Sequence, residues 1–366
     1  MPHKKRIEGF DVARAFAVFG MVFVNFKIVV GANSGTNLYY CISFLEGRAS
    51  AVFVVLAGVG LSLMSASSSV NSRIDSGSAS IVSGINSIRV NIIKRAVLLI
   101  FLGLLFSLVW PADILHFYGV YFLFAAVFIY AKNRTLVLVA VLSMCIFVVL
   151  LFTFDYEQGW NFSDLSYLDF WTVEGMLRHV FFNGFHPVFP WITFVIVGMI
   201  LGRMDLAHSR LRRKILFTAL AVWVLIELSS KAVLSFAADI EGLDPEYLSI
   251  LSTAMMPPMP QYIVAAASLA VAFICLCVEI SQIFSVNKLV KGIGSTGQLA
   301  LTLYAAHVVV GMGIMQAVGI LDSQSIYASV FCALAFNVCS IVFAHYWLRN
   351  FSQGPLEWCF RKLERL

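Results

Sequence analysis

Charge is what this chain has least of. Asp, Glu, Lys and Arg make up 12% of its 366 residues, whereas a soluble globular domain carries about 25%. That deficit excludes a water-soluble enzyme with an ordinary surface. The net charge of +5 is spread over short loops, which excludes a nucleic-acid-binding patch. The seven Cys (41, 145, 275, 277, 332, 339 and 359) lie mostly inside apolar runs, and only Cys41 falls in a loop expected on the oxidising side. They show no disulfide framework and no zinc spacing, Cys275-x-Cys277 being shorter than the usual Cys-x₂-Cys, so no metal is expected. Also missing are a Walker loop, a Rossmann fingerprint, HExxH and GxSxG. The first apolar run continues past the length of a signal-peptide core, with no small-residue cleavage site, so no cleaved signal is expected.

Apolar length takes the place of charge. Hydrophobic residues make up 60% of the chain, including 32 Phe and seven Trp, and the mean hydropathy is +0.88. About 20 apolar residues cross a bilayer as a helix. Ten runs qualify: roughly 10–31, 47–66, 89–110, 114–131, 135–154, 187–203, 214–236, 260–280, 299–319 and 326–348. The second is short and glycine-rich, and the sixth is short and contains Pro190. The predicted fold class is an all-α polytopic integral membrane protein of about ten transmembrane helices, forming one domain over 1–366. A flexible Ser/Asn/Gly-rich inner loop is expected at about 67–88. An outer loop is expected at about 155–186, where Trp160, Tyr167 and Trp171 suggest an interfacial segment.

Basic residues concentrate in cytoplasmic loops. With the N-terminus inside, 21 of the 25 Lys and Arg residues fall on the inner side, and only Lys27, Arg48, Arg178 and Lys231 do not. A wrong helix count would scramble that alternation. Both termini are therefore expected in the cytoplasm, with the protein in the bacterial inner membrane.

Five polar constellations interrupt the apolar runs. Asp11 and Arg14 are three apart on one helix face at the inner end of the first run. They form a local ion pair in the bland reading and a polar floor to a cytoplasmic opening in the functional one, where the Arg fork suits an anion. Asn25, about three turns beyond Arg14, needs a partner inside the bundle. Glu46 and Arg48 open the second run. Asp113 and His116, i and i+3 in Asp-Ile-Leu-His-Phe-Tyr118, open the fourth. A carboxylate beside an imidazole fixes its tautomer and raises its basicity, as a general base requires; Asp113 is equally a helix N-cap. His186, before the sixth run, is expected at the same membrane level as Arg48 and His116. His307, following Tyr304, lies about 8 residues, or about 12 Å, inside the ninth run. A buried polar side chain at that depth is a functional candidate, against the alternative of a hydrogen bond to a neighbouring helix. Glu227 and Lys231, i and i+4, read as a buried structural pair. Gly198-x-x-x-Gly202 is a helix-packing signal. Gly292-Ile-Gly294-Ser-Thr-Gly297 reads as a loop, with a phosphate cradle as the alternative.

Four blocks resemble the YeiB-like bacterial membrane proteins, relatives of heparan-α-glucosaminide N-acetyltransferase in the transmembrane acyltransferase superfamily. These are RIEGFDVARAFAVFGMVFVNF, LEGRASAVFVVLAGVGLSL, DILHFYGVYF, and HPVFPWITFVIVGMILGR with GQLALTLYAAH. They occur in family order across most of the chain. The resemblance implies transfer of an acetyl or other acyl group from cytoplasmic acyl-CoA to an acceptor on the far side of the membrane. The characterised acetyltransferase relative carries its catalytic His between its first two conserved spans, whereas this chain has no His from Phe10 to Phe101. His116 or His307 must then take that place, or the acyl group passes without a covalent intermediate.

On this reading His116 is the general base, Asp113 orients it, and Arg48 stabilises the oxyanion or holds the acceptor. Glu46, Tyr118 and His186 contact the acceptor. His307, Tyr304 and Asn25 line the path of the pantetheine arm, and Asp11 with Arg14 meets the CoA end. The partners are acyl-CoA, membrane lipid and an extracytoplasmic hydroxyl or amine acceptor of the cell envelope; a homodimer is left open. The competing class is a proton-coupled transporter or permease of a small solute or lipid, but its usual signature, an internal repeat, is not evident. The orientation is directly testable. A cysteine at Ser209→Cys should be labelled by a membrane-impermeant maleimide only from the cytoplasmic face. Labelling from outside alone would break the ten-run arrangement.

Overall fold

The computed structural model describes residues 7–74, 78–162, 165–238, 240, 245–321 and 323–364, excluding the side chains of 67–85 and 245–247. Lys4, Lys5, Arg6 and Arg365 lie outside the described residues. In chain order the elements begin with α1 (Glu8–Val29), α2 (Asn37–Ser43), α3 (Arg48–Ile74), α4 (Ser78–Ser107), α5 (Leu115–Phe128) and α6 (Asn133–Thr153). A two-residue hairpin follows, β1 (Trp160–Asn161) antiparallel to β2 (Ser166–Tyr167). Next come α7 (Val173–Arg178), a π turn (His179–Asn183), α8 (Val188–Gly202), α9 (Ser209–Ala238), α10 (Pro245–Leu251), α11 (Pro260–Ile283) and α12 (Lys288–Gln298). The chain ends with α13 (Ala300–Ala306), a second π turn (His307–Met312), α14 (Gly313–Ala317), α15 (Ile326–Asn350) and α16 (Pro355–Glu364).

Eight helical stretches among the described residues are long and apolar enough to cross a membrane. Two of the expected runs are shorter than a full span. Residues 114–131 form the 14-residue α5, which Arg203 closes by donating to Ile129 O (3.0 Å), Ala131 O (2.7 Å) and Asn133 Oδ1 (2.7 Å). Residues 187–203 form the 15-residue α8, which meets Val173–Asn183 at a 50° bend. The link between them holds Gly184 and Pro187, and Pro cannot donate to a continuing helix.

Two further expectations are corrected. The stretch expected as a loop at 67–88 carries helix up to Ile74 and from Ser78, with 75–77 outside the described residues. The glycine-rich 292–297 stretch is no loop but lies inside α12. Asn287 caps that helix by accepting from Leu289 N (2.8 Å) and Val290 N (3.4 Å). Gly297 serves close packing: a Cβ there would collide with the carbonyl of Asp11.

The chain forms two compact units, each described by itself. The first comprises residues 1–53, 205–220 and 268–366. In it α1 packs on α12, α13 and α15. Arg212, 2% exposed, binds Glu279, Leu206 O (2.7 Å) and Ala207 O (3.3 Å), so a buried guanidinium has several partners. Glu357 of α16 accepts from Leu301 N (2.8 Å), Thr302 N (3.1 Å) and Thr302 Oγ1 (2.5 Å), capping α13 from another helix. The second unit comprises 54–204 and 221–267. Its tightest pair is α4 on α5, with α6 on α8 beside it. Gly58 and Gly198 bring α3 and α8 into backbone contact, as the GxxxG spacing predicts. In this unit Glu227 takes Thr253 Oγ1 (2.9 Å) and Trp223 Nε1 (3.3 Å), while Lys231 is exposed rather than buried as its spacing from Glu227 suggests.

Gly103 of α4 is the closest approach to α5, since a Cβ there would run into the backbone N of His116. Gly103→Ala should therefore destabilise by about 1–3 kcal/mol, as overpacking does. Gly60→Ala, with no atom within 4 Å of the added Cβ, should be neutral. Thermal unfolding of the two variants in detergent reads the difference, and equal melting temperatures would contradict the packing.

Candidate active site

The fourth run's polar pair forms as its spacing predicts. Asp113 is 0% exposed. Its Oδ2 accepts from Leu115 N (2.8 Å) and His116 N (3.3 Å) at the start of α5, and lies 3.3 Å from His116 Nδ1. One carboxylate thus caps a helix and holds an imidazole. With the Nδ1 proton donated to Asp113, the lone pair sits on Nε2, and that atom is buried without a hydrogen-bond partner. Ser107 Oγ stands 3.5 Å from Nδ1. This is the arrangement of a base whose tautomer is fixed and whose acceptor nitrogen is open.

The described residues of 155–186, which exclude 163 and 164, form a folded segment beside this pair. Asn183, fully buried, organises it. Its Nδ2 donates to Tyr156 O (2.8 Å) and Gln158 O (2.9 Å), its Oδ1 accepts from Tyr167 OH (2.7 Å), and its carbonyl accepts from Trp160 Nε1 (2.7 Å). Arg178 donates to Tyr167 OH (2.9 Å) and pairs with Asp169 (2.5 Å) and Glu174 (3.4 Å). Burial pushes the Tyr167 phenol pKa up, against the lowering pull of Arg178. The segment delivers His179, which the sequence reading passed over. Its ring lies 5.9 Å from that of His116, nearly parallel, and between 4.7 and 5.2 Å from Tyr167, Phe170 and Phe117. Its Nδ1 is buried and unpartnered. The signal that could have found it is its place in the aromatic-rich 160–185 stretch.

A cavity of about 140 Å³ opens here, lined by Ser107, Ser166, Tyr167, Phe170, Trp171 and His179, among others. Ser107, Phe170 and His179 also neighbour His116. His186 is buried rather than solvated: its carbonyl accepts from Tyr121 OH (2.5 Å), its ring stands edge-on to Trp191, and its Nδ1 has no partner. Tyr118 is buried against Tyr121 and Phe122. Neither His186 nor Tyr118 lines the cavity.

The other expected site residues belong to the first unit. Asn25 Nδ2 lies 2.9 Å from His307 Nε2, and His307 Nδ1 meets Tyr304 O, so both ring nitrogens are engaged. Asn25 has the partner its depth requires, and His307 matches the neighbouring-helix reading. Arg14 pairs with Asp11 (2.8 Å) and reaches Gly297 O (3.4 Å). Glu46 meets Lys27, which also donates to Ser43 Oγ (2.7 Å) and lies over the Tyr39 ring. Arg48 donates to Phe44 O (3.3 Å) and stacks over its ring. Arg48 thus stands in the first unit, Asp113 and His116 in the second. No group of three or more His, Cys, Asp or Glu among the described residues is placed to hold a metal.

The long apolar helices define an integral membrane protein, and the buried carboxylate–imidazole pair gives it a candidate chemical site. The chain belongs to the heparan-alpha-glucosaminide N-acetyltransferase, catalytic family, whose model matches residues 6–236. A second family, described as a protein of unknown function (DUF418), matches residues 201–366, in line with the YeiB-like resemblance. No curated protein matches the chain.

Asn183 is the residue whose loss should free the segment. Asn183→Ala removes three side-chain hydrogen bonds and leaves the Tyr156 and Gln158 carbonyls without that donor. Each intramolecular hydrogen bond lost costs about 0.5–1.5 kcal/mol. Hydrogen exchange over 156–185 should accelerate at least tenfold, with α11 and α15 unchanged. Parental protection of 156–185 in the variant would contradict the role given to Asn183.

Proposed function

We propose that this protein is a membrane acyltransferase that moves an acetyl or other acyl group from cytoplasmic acyl-CoA to a hydroxyl or amine acceptor on the far side. The reading includes ten spans with both termini in the cytoplasm, the tenfold count treating α5 and the bent α7–α8 pair as crossings. Family membership supports the reaction class. The observation that carries the site is the buried Asp113–His116 pair, whose Nε2 keeps no hydrogen-bond partner. A hydroxyl or amine attacks a thioester slowly until it loses a proton. His116 Nε2 takes that proton as the new O–C or N–C bond forms. The C–S bond then breaks, and the leaving CoA thiolate recovers the proton from the imidazolium, so the balance closes without a covalent acyl-enzyme. Arg48 is assigned to the oxyanion or the acceptor, with Glu46, Tyr118 and His186 as further acceptor contacts. Asp11 and Arg14 are assigned to the CoA end, and Asn25, Tyr304 and His307 to the path of the pantetheine arm.

A positioned base contributes about 10²–10⁴-fold to rate and little to donor affinity. His116→Ala should therefore lose transfer by that factor while acyl-CoA binds at parental affinity. Arg14→Ala should weaken acyl-CoA binding and reduce its salt sensitivity, because a phosphate contact is lost. CoA release and acyl-CoA affinity in nanodiscs measure both. If His307→Ala abolishes turnover while His116→Ala keeps it, the base belongs to the first unit. If His116→Ala, Arg14→Ala and His307→Ala all leave CoA release and binding unchanged, the protein is a transporter of the proton-coupled class instead.

A further inference from the structure

We infer that α16, with the end of α15, is a binding site for anionic phospholipid at the bilayer surface; the inference stands apart from the acyltransferase reading. α15 is a candidate span, and α16 follows it after residues 351–354. The turn between them is fixed. Trp347 Nε1 donates to Gln353 O (2.8 Å), and the Trp347 ring stacks on Phe351 with 4.3 Å between centroids. α16 is also pinned to the start of another candidate span, because Glu357 accepts from Leu301 N (2.8 Å) and Thr302 N (3.1 Å) of α13. A 10-residue helix is too short to cross a bilayer. Held between the ends of two spans, it lies at the membrane boundary.

The two faces of α16 differ as those of a surface helix must. At about 3.6 residues per turn, Leu356, Glu357, Phe360 and Glu364 share one arc, with Phe360 buried. Both acids of the helix therefore fall on the side that meets the protein. Trp358, Cys359, Arg361, Lys362 and Leu363 share the other arc, and all five are exposed. That outer arc is itself divided. Arg361 takes one edge, Cys359 and Leu363 the other, and Trp358 with Lys362 the middle. The apolar edge can enter the acyl boundary while the cationic edge stays among headgroups. Lys362 Nζ lies 5.2 Å from the Trp358 ring centre, and in the last turn of α15 the Arg349 guanidinium lies 5.5 Å from that of Tyr346. Aromatic rings settle at headgroup level, and long basic side chains lie along apolar surface to bring their charge to phosphate. Continuity identifies the occupant as lipid. A stripe of exposed apolar side chains, Phe331, Leu334, Val338 and Val342, runs along α15 and leads to the Tyr346–Arg349 pair. Acyl chains fit that stripe, and the cations at its end fit an anionic headgroup. Each basic side chain near an anionic bilayer surface adds about fivefold in affinity.

The test counts lipids on the intact protein. The full chain in detergent is titrated with phosphatidylglycerol or with phosphatidylcholine, and bound lipid is read by native mass spectrometry. The anionic lipid should bind at least tenfold tighter. Combining Arg349→Gln, Arg361→Gln and Lys362→Gln should erase that difference, whereas Arg134→Gln, at an exposed cation in the first turn of α6, should keep it. In nanodiscs, amide exchange over 355–364 should slow at least fivefold when phosphatidylglycerol replaces phosphatidylcholine, and the triple variant should lose that slowing. Equal binding of the two lipids overturns the inference. So does a preference that survives the triple substitution, or one that Arg134→Gln removes as fully. Exchange over 355–364 that ignores the lipid also overturns it. A two-chain mass that Trp358→Ser abolishes would give the face to a second copy instead, which refutes the lipid site.

Discussion

The carboxylate of Asp113 is the point on which this account turns. It is completely buried, and a bare charge in that position would be prohibitively costly. It is made tolerable by two backbone N–H groups at the start of α5 and the ring nitrogen of His116, all on one oxygen. The same contacts that let the helix begin inside apolar surroundings decide which nitrogen of His116 is left open. Helix start and imidazole tautomer are therefore one structural fact. The close approach of α4 at Gly103 holds that helix start in place.

The 155–186 segment extends the same logic. Between its short hairpin, α7 and π turn, its described backbone groups need partners that a strand or helix would otherwise supply. Asn183 supplies several at once, tying residues 156, 158, 160 and 167 together. The arrangement fixes His179 against the His116 ring and leaves a small cavity between aromatic faces. A segment expected as an outer loop thus becomes the wall of the candidate site.

What was legible in the sequence is what local spacing controls. Asp113 and His116 are i and i+3, Asp11 and Arg14 likewise, and both pairs form. The GxxxG spacing of α8 gives its close packing, and apolar run length gives the long spans. What long-range packing controls was not legible. Asn25 announced a need for a partner but not that His307, 282 residues away, would meet it. His179 gave no local sign because its environment is built by Trp160, Tyr167 and Phe170 through a hairpin and a π turn. The glycines of 292–297 suggest a loop by composition, yet they lie inside α12, and Gly297 sits too close to the α1 backbone at Asp11 for any side chain. Spacing sets Glu46 beside Arg48, but its carboxylate meets Lys27 across the turn from α1.

The central claim is that Asp113 acts on the reaction only through His116. A double-substitution cycle measures this directly, because groups that work as one unit lose activity non-additively. The quantity is the rate of CoA release under saturating acyl-CoA for Asp113→Asn, His116→Ala and the double variant, with folding of each checked by thermal unfolding. The account predicts a partial loss for Asp113→Asn, a larger one for His116→Ala, and a double variant no slower than His116→Ala alone. Losses that multiply would show two independent contributions and contradict the claim.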